Sequence, residues 1–292
     1  MAYNNLEDRD MNKLTDTFKL KNGVEIPCVG FGTWRSKDGE VAENAVRKAL
    51  EVGYRHIDTA AAYKNEESVG RAIKNCGIAR EEIFVTSKLW NTERGYDKAK
   101  KAFEETLRKL QLDYLDLYLV HWPAAAHQHE NWDELNLSTW KALTELYREG
   151  KIRAIGVSNF LPHHIASLLK TEVPPMVNQI EMHPGFIWNE TVALCRENGI
   201  LVEAWSPLGS GSLLGDPLLL EIAEKYGKSV AQICLRWCLQ MGTLPLPKSV
   251  TPSRIEENTK IFDFELSAED MAKINAMAET GTSGFHPDSV DF

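Results

Sequence analysis

Several features are scarce in this chain of 292 residues. No window approaches the roughly 18 consecutive apolar residues that a membrane-spanning helix needs. The opening stretch MAYNNLEDRDMNKLTDT is polar and has no apolar run of the kind a secretory signal requires. A cytoplasmic protein with no membrane contact is expected. Cysteine is sparse: Cys28, Cys76, Cys195, Cys234 and Cys238 are odd in number and scattered through apolar segments, a pattern of reduced thiols and not of a disulfide framework. Cys234 and Cys238 share a helical face, but no nearby His or second Cys pair completes a ligand set, so no metal is expected. Basic charge is in deficit, with 33 Lys and Arg against 42 Asp and Glu and a net charge of -9. That balance disfavours nucleic acid as a partner and leaves room only for a small anion held by a local basic patch. Linkers rich in Pro, Gly or Ser are missing, so a single domain over residues 18–292 is expected behind a polar tail, 1–17. His127 and His129, and His163 with His164, read as solvated loop or helix-start residues.

What the sequence does contain is a regular alternation. In FKLKNGVEIPCVGFGTW an Asn22-Gly23 turn separates two short runs, a hairpin signal. Strand-like apolar runs follow at CVGFGTW, HIDTA, IFVTSKLW, LDLYLVHW, IRAIGVSNF, MVNQIEM, LVEAWSPL and TLPLPKS. Amphipathic segments lie between them. In GEVAENAVRKALEVG, Val41, Ala45, Ala49 and Val52 recur at helical spacing, with Glu43 and Arg47 placed to pair outward. Eight near-continuous apolar runs alternating with helices predict a parallel sheet with helical crossovers, and eight units in about 260 residues predict a closed (β/α)8 barrel. The open doubly wound alternative would want a glycine fingerprint after its first strand, and GFGTW supplies only Gly30 and Gly32.

In such a barrel the C-terminal ends of the strands converge on one rim, where chemistry is found. In YRHIDTAAAYKNE, Asp58 closes the second strand and Tyr63 follows in the loop; Lys88 and His121 close the next two strands. Each residue alone has a structural explanation, as a rim ion pair, a loop aromatic or a core histidine. Together they bring a carboxylate, a phenol, an ammonium and an imidazole to one place. A phenol ionises near pH 10, and a neighbouring ammonium favours the phenolate, so Lys88 is expected to lower the pKa of Tyr63. Asp58 would hold Lys88 and offset its burial. His121 would offer a hydrogen bond to a substrate oxygen or help to tune Tyr63. The set can protonate an oxyanion as it develops, as carbonyl reduction requires.

The segments VGFGTW, YRHIDTAAAYKNE, TSKLWN, LYLVHWP, IGVSNF, NQIEMHP, WSPLG and LPLPKSVTPSRIEEN together resemble the aldo-keto reductases, in order from about residue 18 to 275. The overall look is closest to the bacterial 2,5-diketo-D-gluconate reductase type. The resemblance implies NADPH-dependent reduction of aldehydes and ketones, with Asp58, Tyr63, Lys88 and His121 on the family's catalytic tetrad and Tyr63 as the proton donor. It assigns Ser158, Asn159 and Gln179 to the nicotinamide carboxamide and Trp205 to stacking on that ring, where many members carry Tyr. It also places Thr33, Trp34, Asp58, Ser206, Leu208, Gly209 and Val250 around the coenzyme.

Thr251 and Pro252 read as N-cap and first residue of a short helix. By the resemblance Lys248, Ser249 and Arg254 grip the adenosine 2′-phosphate there, and Glu257 and Asn258 lie near the adenine amine. The LGSGSLLGD stretch looks like the loop that covers the pyrophosphate. Trp34, Trp90 and Trp122 would cup a small aldehyde or ketone beside Tyr63 and His121, with the C-terminal segment ETGTSGFHPDSVDF closing over it. The family is commonly monomeric, so a monomer, or at most a weak dimer, is expected. Two other functions compete: a non-catalytic NADPH-binding partner subunit, and a barrel lyase or isomerase that uses the Lys88 amine covalently.

Overall fold

The computed structural model of the chain describes residues 11–292. Residues 1–10 of the expected tail lie outside the described residues. The rest of that tail is folded against the body: Met11 is buried, and its carbonyl accepts a hydrogen bond from Arg236 at 2.9 Å. The Asn22-Gly23 signal yields the expected hairpin, β1 (Thr17–Lys19) antiparallel to β2 (Glu25–Pro27). Gly23 sits at φ 86°, in the left-handed region where glycine costs least.

Each of the eight apolar runs becomes a parallel strand: β3 (Phe31–Gly32), β4 (His56–Asp58), β5 (Phe84–Leu89), β6 (Leu115–Val120), β7 (Ile152–Ser158), β8 (Val177–Glu181), β9 (Leu201–Trp205) and β10 (Leu244–Pro245). They lie side by side in chain order. Hydrogen bonds from Gly30 N to Pro245 O (3.1 Å) and from Gly32 N to Pro247 O (2.9 Å) join the first strand to the last and close the barrel. Every residue of β5 and β6 is buried, because helices cover their outer faces and the lumen packs their inner ones. Gly30 is required at the seam. A Cβ there would come within 2.4 Å of Leu246 Cδ2 and 2.6 Å of the His56 ring.

Helices α1 (Glu40–Glu51), α2 (Glu66–Asn75), α3 (Tyr96–Leu110), α4 (Trp132–Arg148), α5 (Pro162–Ile165), α6 (Asn189–Glu197), α7 (Pro217–Tyr226) and α8 (Val230–Gln240) form the crossovers, and α9 (Pro252–Glu257) and α10 (Ala268–Asn275) follow β10. Two details of α1 differ from expectation. Its buried stripe is Ala42, Ala45, Val46, Ala49 and Leu50, while Val41 is exposed. Glu43 reaches across to Arg71 of α2 at 3.0 Å, and Arg47 bonds Asn44, because the neighbouring helix offers Glu43 a fixed guanidinium. All five cysteines are free, and only Cys76 is not fully buried. No described helix is long and apolar enough to cross a membrane.

Candidate active site

At the C-terminal rim lies a cavity of about 1400 Å³. The sheet register fixes the tetrad. Asp58 ends β4, Lys88 is one residue short of the end of β5, and His121 follows β6 with its amide bonded to Leu89 O. Tyr63 sits in the single 3-10 turn Ala61–Tyr63 that the small alanines allow above the rim. Lys88 Nζ donates to Asp58 Oδ1 at 2.6 Å, to Thr59 O at 3.0 Å and to Tyr63 Oη at 3.2 Å. The ammonium is fully buried and all three of its hydrogens have partners. Tyr63 is half-buried with its ring at the cavity wall, edge-on to His121.

The electrostatics differ from the sequence expectation in one respect. Burial pushes the Tyr63 phenol up, Lys88 pulls it down and Asp58 raises it again; the net direction is upward. The resting phenol therefore keeps its proton, with the Lys88 ammonium placed where it would stabilise a phenolate. Burial works against the Lys88 ammonium, yet Asp58 and Tyr63 together hold its pKa above the ordinary lysine value. Such an ammonium has no lone pair for covalent chemistry, which argues against the lyase alternative. Burial, and then the Lys88 charge, drive His121 well below the usual histidine range, so its ring is neutral. Its Nδ1 is buried without a partner.

Deeper in the barrel, Ser158 donates to the Gln179 backbone carbonyl at 2.8 Å. The Asn159 side chain bonds His121 O and Ser158 Oγ, and it accepts from Trp205 Nε1 at 2.8 Å, which fixes the plane of the indole face. Asn159 holds φ 62° and Ser206 φ 50°, left-handed backbone at residues other than glycine, of the kind concentrated at ligand clamps. At the far end, Lys248, Ser249 and Arg254 line the cavity with Glu257 and Asn258, and Pro252 begins α9 as expected, although the Thr251 hydroxyl makes no capping bond. Arg35, which the sequence reading did not single out, joins them. Burial and then Arg35 lower the Lys248 ammonium's pKa. Among the described residues none of these three cations pairs with a carboxylate, a local demand for an anion in an acidic chain.

Other sequence-predicted residues fare differently. Trp34, Trp90, Trp122, Ser206 and Leu208 line the cavity. Thr33, Gly209 and Val250 do not. The Thr33 hydroxyl turns back to Asp58 O, Gly209 packs under Leu213, and Val250 points to solvent. The glycine-rich loop contributes Ser210, Gly211 and Leu214 to the wall.

The C-terminal segment does close over the mouth, and its anchors include histidines expected in solvent. Phe292 stacks on Trp90 and meets Trp122 edge-on, and its carbonyl accepts from Asn91 at 2.7 Å. His127 bonds Val290 O. Asp288 lies 2.9 Å from His163 Nε2 and 3.1 Å from His164 Nε2, and His164 is fully buried because Asp288 and Trp132 cover it. These three residues could sit around a metal ion. However, the Leu161 amide donates to His164 Nδ1 at 3.2 Å, so the neutral ring carries its hydrogen on Nε2, facing Asp288. Burial and then His163 push His164 down to about 4, which keeps it neutral. Asp288 is held by its hydrogen bond with His163, with the buried His164 ring beside it, and this contact latches the C-terminal segment. Asp288→Ala is expected to raise KM for carbonyl substrates roughly 3- to 10-fold, the scale of one or two lost hydrogen bonds, and to leave the Kd for NADPH unchanged in a fluorescence titration.

The model of the Aldo/keto reductase family matches residues 28–279. The chain belongs to the aldo/keto reductase family. It is 52% identical over 280 residues to glyoxal reductase of Bacillus subtilis, covering 96% of this chain and 99% of that one. It is 45% identical over 273 residues to methylglyoxal reductase DkgA of Escherichia coli, covering 92% and 96%. A mutant of Gox0644 solved in complex with NADPH superposes with a TM-score of 0.88 at 40% identity, covering 95% and 99%. As an aldo/keto reductase the protein is an NADPH-dependent oxidoreductase that reduces carbonyl groups. The cavity suits that coenzyme: one continuous space is lined by Asp58, Tyr63, His121 and Trp205 and also by Arg35, Lys248 and Arg254.

Proposed function

We propose that the protein reduces small α-dicarbonyl compounds of the glyoxal and methylglyoxal type, with Tyr63 as proton donor. The observation that carries the reading is the Tyr63 hydroxyl at the cavity wall, 3.2 Å from a lysine that is itself 2.6 Å from Asp58. NADPH, when bound, supplies the hydride. The chain's own residues do the rest. Ser158, Gln179 and the Trp205 face orient the nicotinamide; Asn159 supports them by holding Trp205 and the His121 backbone in place. His121, neutral, donates a hydrogen bond to the carbonyl oxygen. As charge grows on that oxygen, Tyr63 gives up its proton and Lys88 stabilises the phenolate left behind. Trp34, Trp90, Trp122 and Phe292 line the cavity beside Tyr63 and give the carbonyl substrate an aromatic wall.

Arg35, Lys248 and Arg254 select NADPH over NADH by holding the 2′-phosphate. Arg254→Ala should weaken NADPH about 10- to 100-fold while NADH binding is unchanged. The substrate reading is tested by NADPH consumption with methylglyoxal, an aryl aldehyde and a keto sugar. Methylglyoxal should give the highest kcat/KM; a keto sugar turned over better would sink it. The reading extends to a single-domain monomer working in the cytoplasm, supported by five unpaired thiols. Gel filtration at twice the chain mass would overturn the monomer.

A further inference from the structure

Beneath the tetrad, the Gln179 amide stands between two carboxyl groups. Its Nε2 lies 2.9 Å from Asp58 Oδ2 and 2.7 Å from Glu203 Oε2. Gln179 and Glu203 are register partners on β8 and β9, so their side chains enter the lumen at one level. Both hydrogens of the amide nitrogen are thus used inside the barrel, and only the carbonyl Oε1 is left for the cavity that Gln179 lines. With Asp58 alone, one N–H would have no acceptor in the dry interior, and the amide could turn to present a donor to the cavity instead. Glu203 is fully buried, and its second oxygen, Oε1, has no partner. No step of the reduction uses it.

We propose that Glu203 is a positioning residue, the second acceptor that locks Gln179 with its amide oxygen toward the nicotinamide carboxamide. The inference rests on the reading of Gln179 as a nicotinamide contact. An acceptor-only Gln179 selects the NH2 side of that carboxamide, and so selects one of the two faces the ring can present. Glu203 does this as a neutral acid. Burial raises its carboxyl pKa, the Asp58 charge raises it further, and the Gln179 bond and Lys88 only partly counter them, leaving it at about 8. On its other flank, β10 sets the apolar Leu244 beside it. Because Oε2 accepts from Gln179, the proton belongs on Oε1, whose position without a partner an anion could not tolerate. Neutrality also keeps Glu203 from competing with Asp58 for the single ammonium of Lys88.

Three variants test this: Glu203→Leu, Glu203→Gln and Gln179→Leu. All are read by NADPH fluorescence titration and by the infrared carboxyl band of the coenzyme-free protein. Glu203→Leu is expected to weaken NADPH about tenfold, as Gln179→Leu does. Glu203→Gln, which keeps an acceptor and cannot ionise, should restore most of the affinity. The wild-type protein should show a protonated-carboxyl band at pH 7 that Glu203→Gln lacks. Above pH 8 the wild-type Kd for NADP+ should tighten relative to NADPH, since ionised Glu203 attracts the cationic ring, and in Glu203→Gln that ratio should be flat. Full NADPH affinity in Glu203→Leu alongside a weakened Gln179→Leu overturns the inference, as does a Glu203→Gln protein no better than Glu203→Leu, or absence of the band. Unchanged affinity in both leucine variants overturns the reading of Gln179, and the inference falls with it.

Discussion

Tyr63→Phe is expected to slow carbonyl reduction by about 10² to 10⁴-fold while NADPH binds with unchanged affinity. The hydroxyl is the group at the cavity wall within hydrogen-bond reach of the Lys88 ammonium, which would stabilise the phenolate it leaves. His121 replaces it poorly, because burial and Lys88 hold its ring neutral, and a neutral imidazole is a far weaker acid than a phenol. Lys88 replaces it poorly, since Asp58 and Thr59 O still hold two of its hydrogens and the Asp58 carboxylate favours the charged ammonium. Removing one oxygen from a half-buried ring leaves packing against His121 intact, so the fold should survive. Single-turnover reduction measured under saturating NADPH is the check. A Phe variant within tenfold of the parent would assign the proton to another group.

The second large effect is at Lys88. Lys88→Met should abolish turnover and also destabilise the fold, by about 3–5 kcal/mol, because it leaves the Asp58 carboxylate buried without its cation. For a chain of this size that is a fall in Tm on the order of 10 °C. Activity is lost for a separate reason: without the ammonium, burial and Asp58 act unopposed on Tyr63, and its phenolate is stabilised by nothing. The double variant Asp58→Asn/Lys88→Met separates the two effects. Removing both charges should recover most of the Tm and none of the activity. Recovery of turnover in the double variant would mean that the pair is structural only, and melting curves together with kcat decide it.

The roles of strand and rim were legible in the chain because local pattern dictates them. Near-continuous apolar runs such as LDLYLV can be satisfied only where both faces are covered, and in a parallel barrel the residue that ends each run must emerge at the same rim. Asp58, Tyr63, Lys88 and His121 follow from that rule. Outward pairings were less legible. Glu43 found Arg71 on the next helix and not Arg47 on its own, since a fixed cation across a groove competes with one on a flexible neighbour. The latch of His163, His164 and Asp288 had no local signal at all, because its parts are more than a hundred residues apart.

By itself, then, the sequence determined the barrel, the rim that carries the candidate site and the four polar groups that meet there, because periodicity and strand order are properties of neighbours along the chain. Tertiary structure alone decided the charge states and the orientations. Whether Tyr63 rests as an acid, whether His121 and Glu203 are neutral, which end of the Gln179 amide faces the cavity and where Phe292 stacks all depend on how much water is excluded and which distant groups come within hydrogen-bond reach. Desolvation and contact across the barrel are sums over atoms from many strands, and no short stretch of sequence contains them.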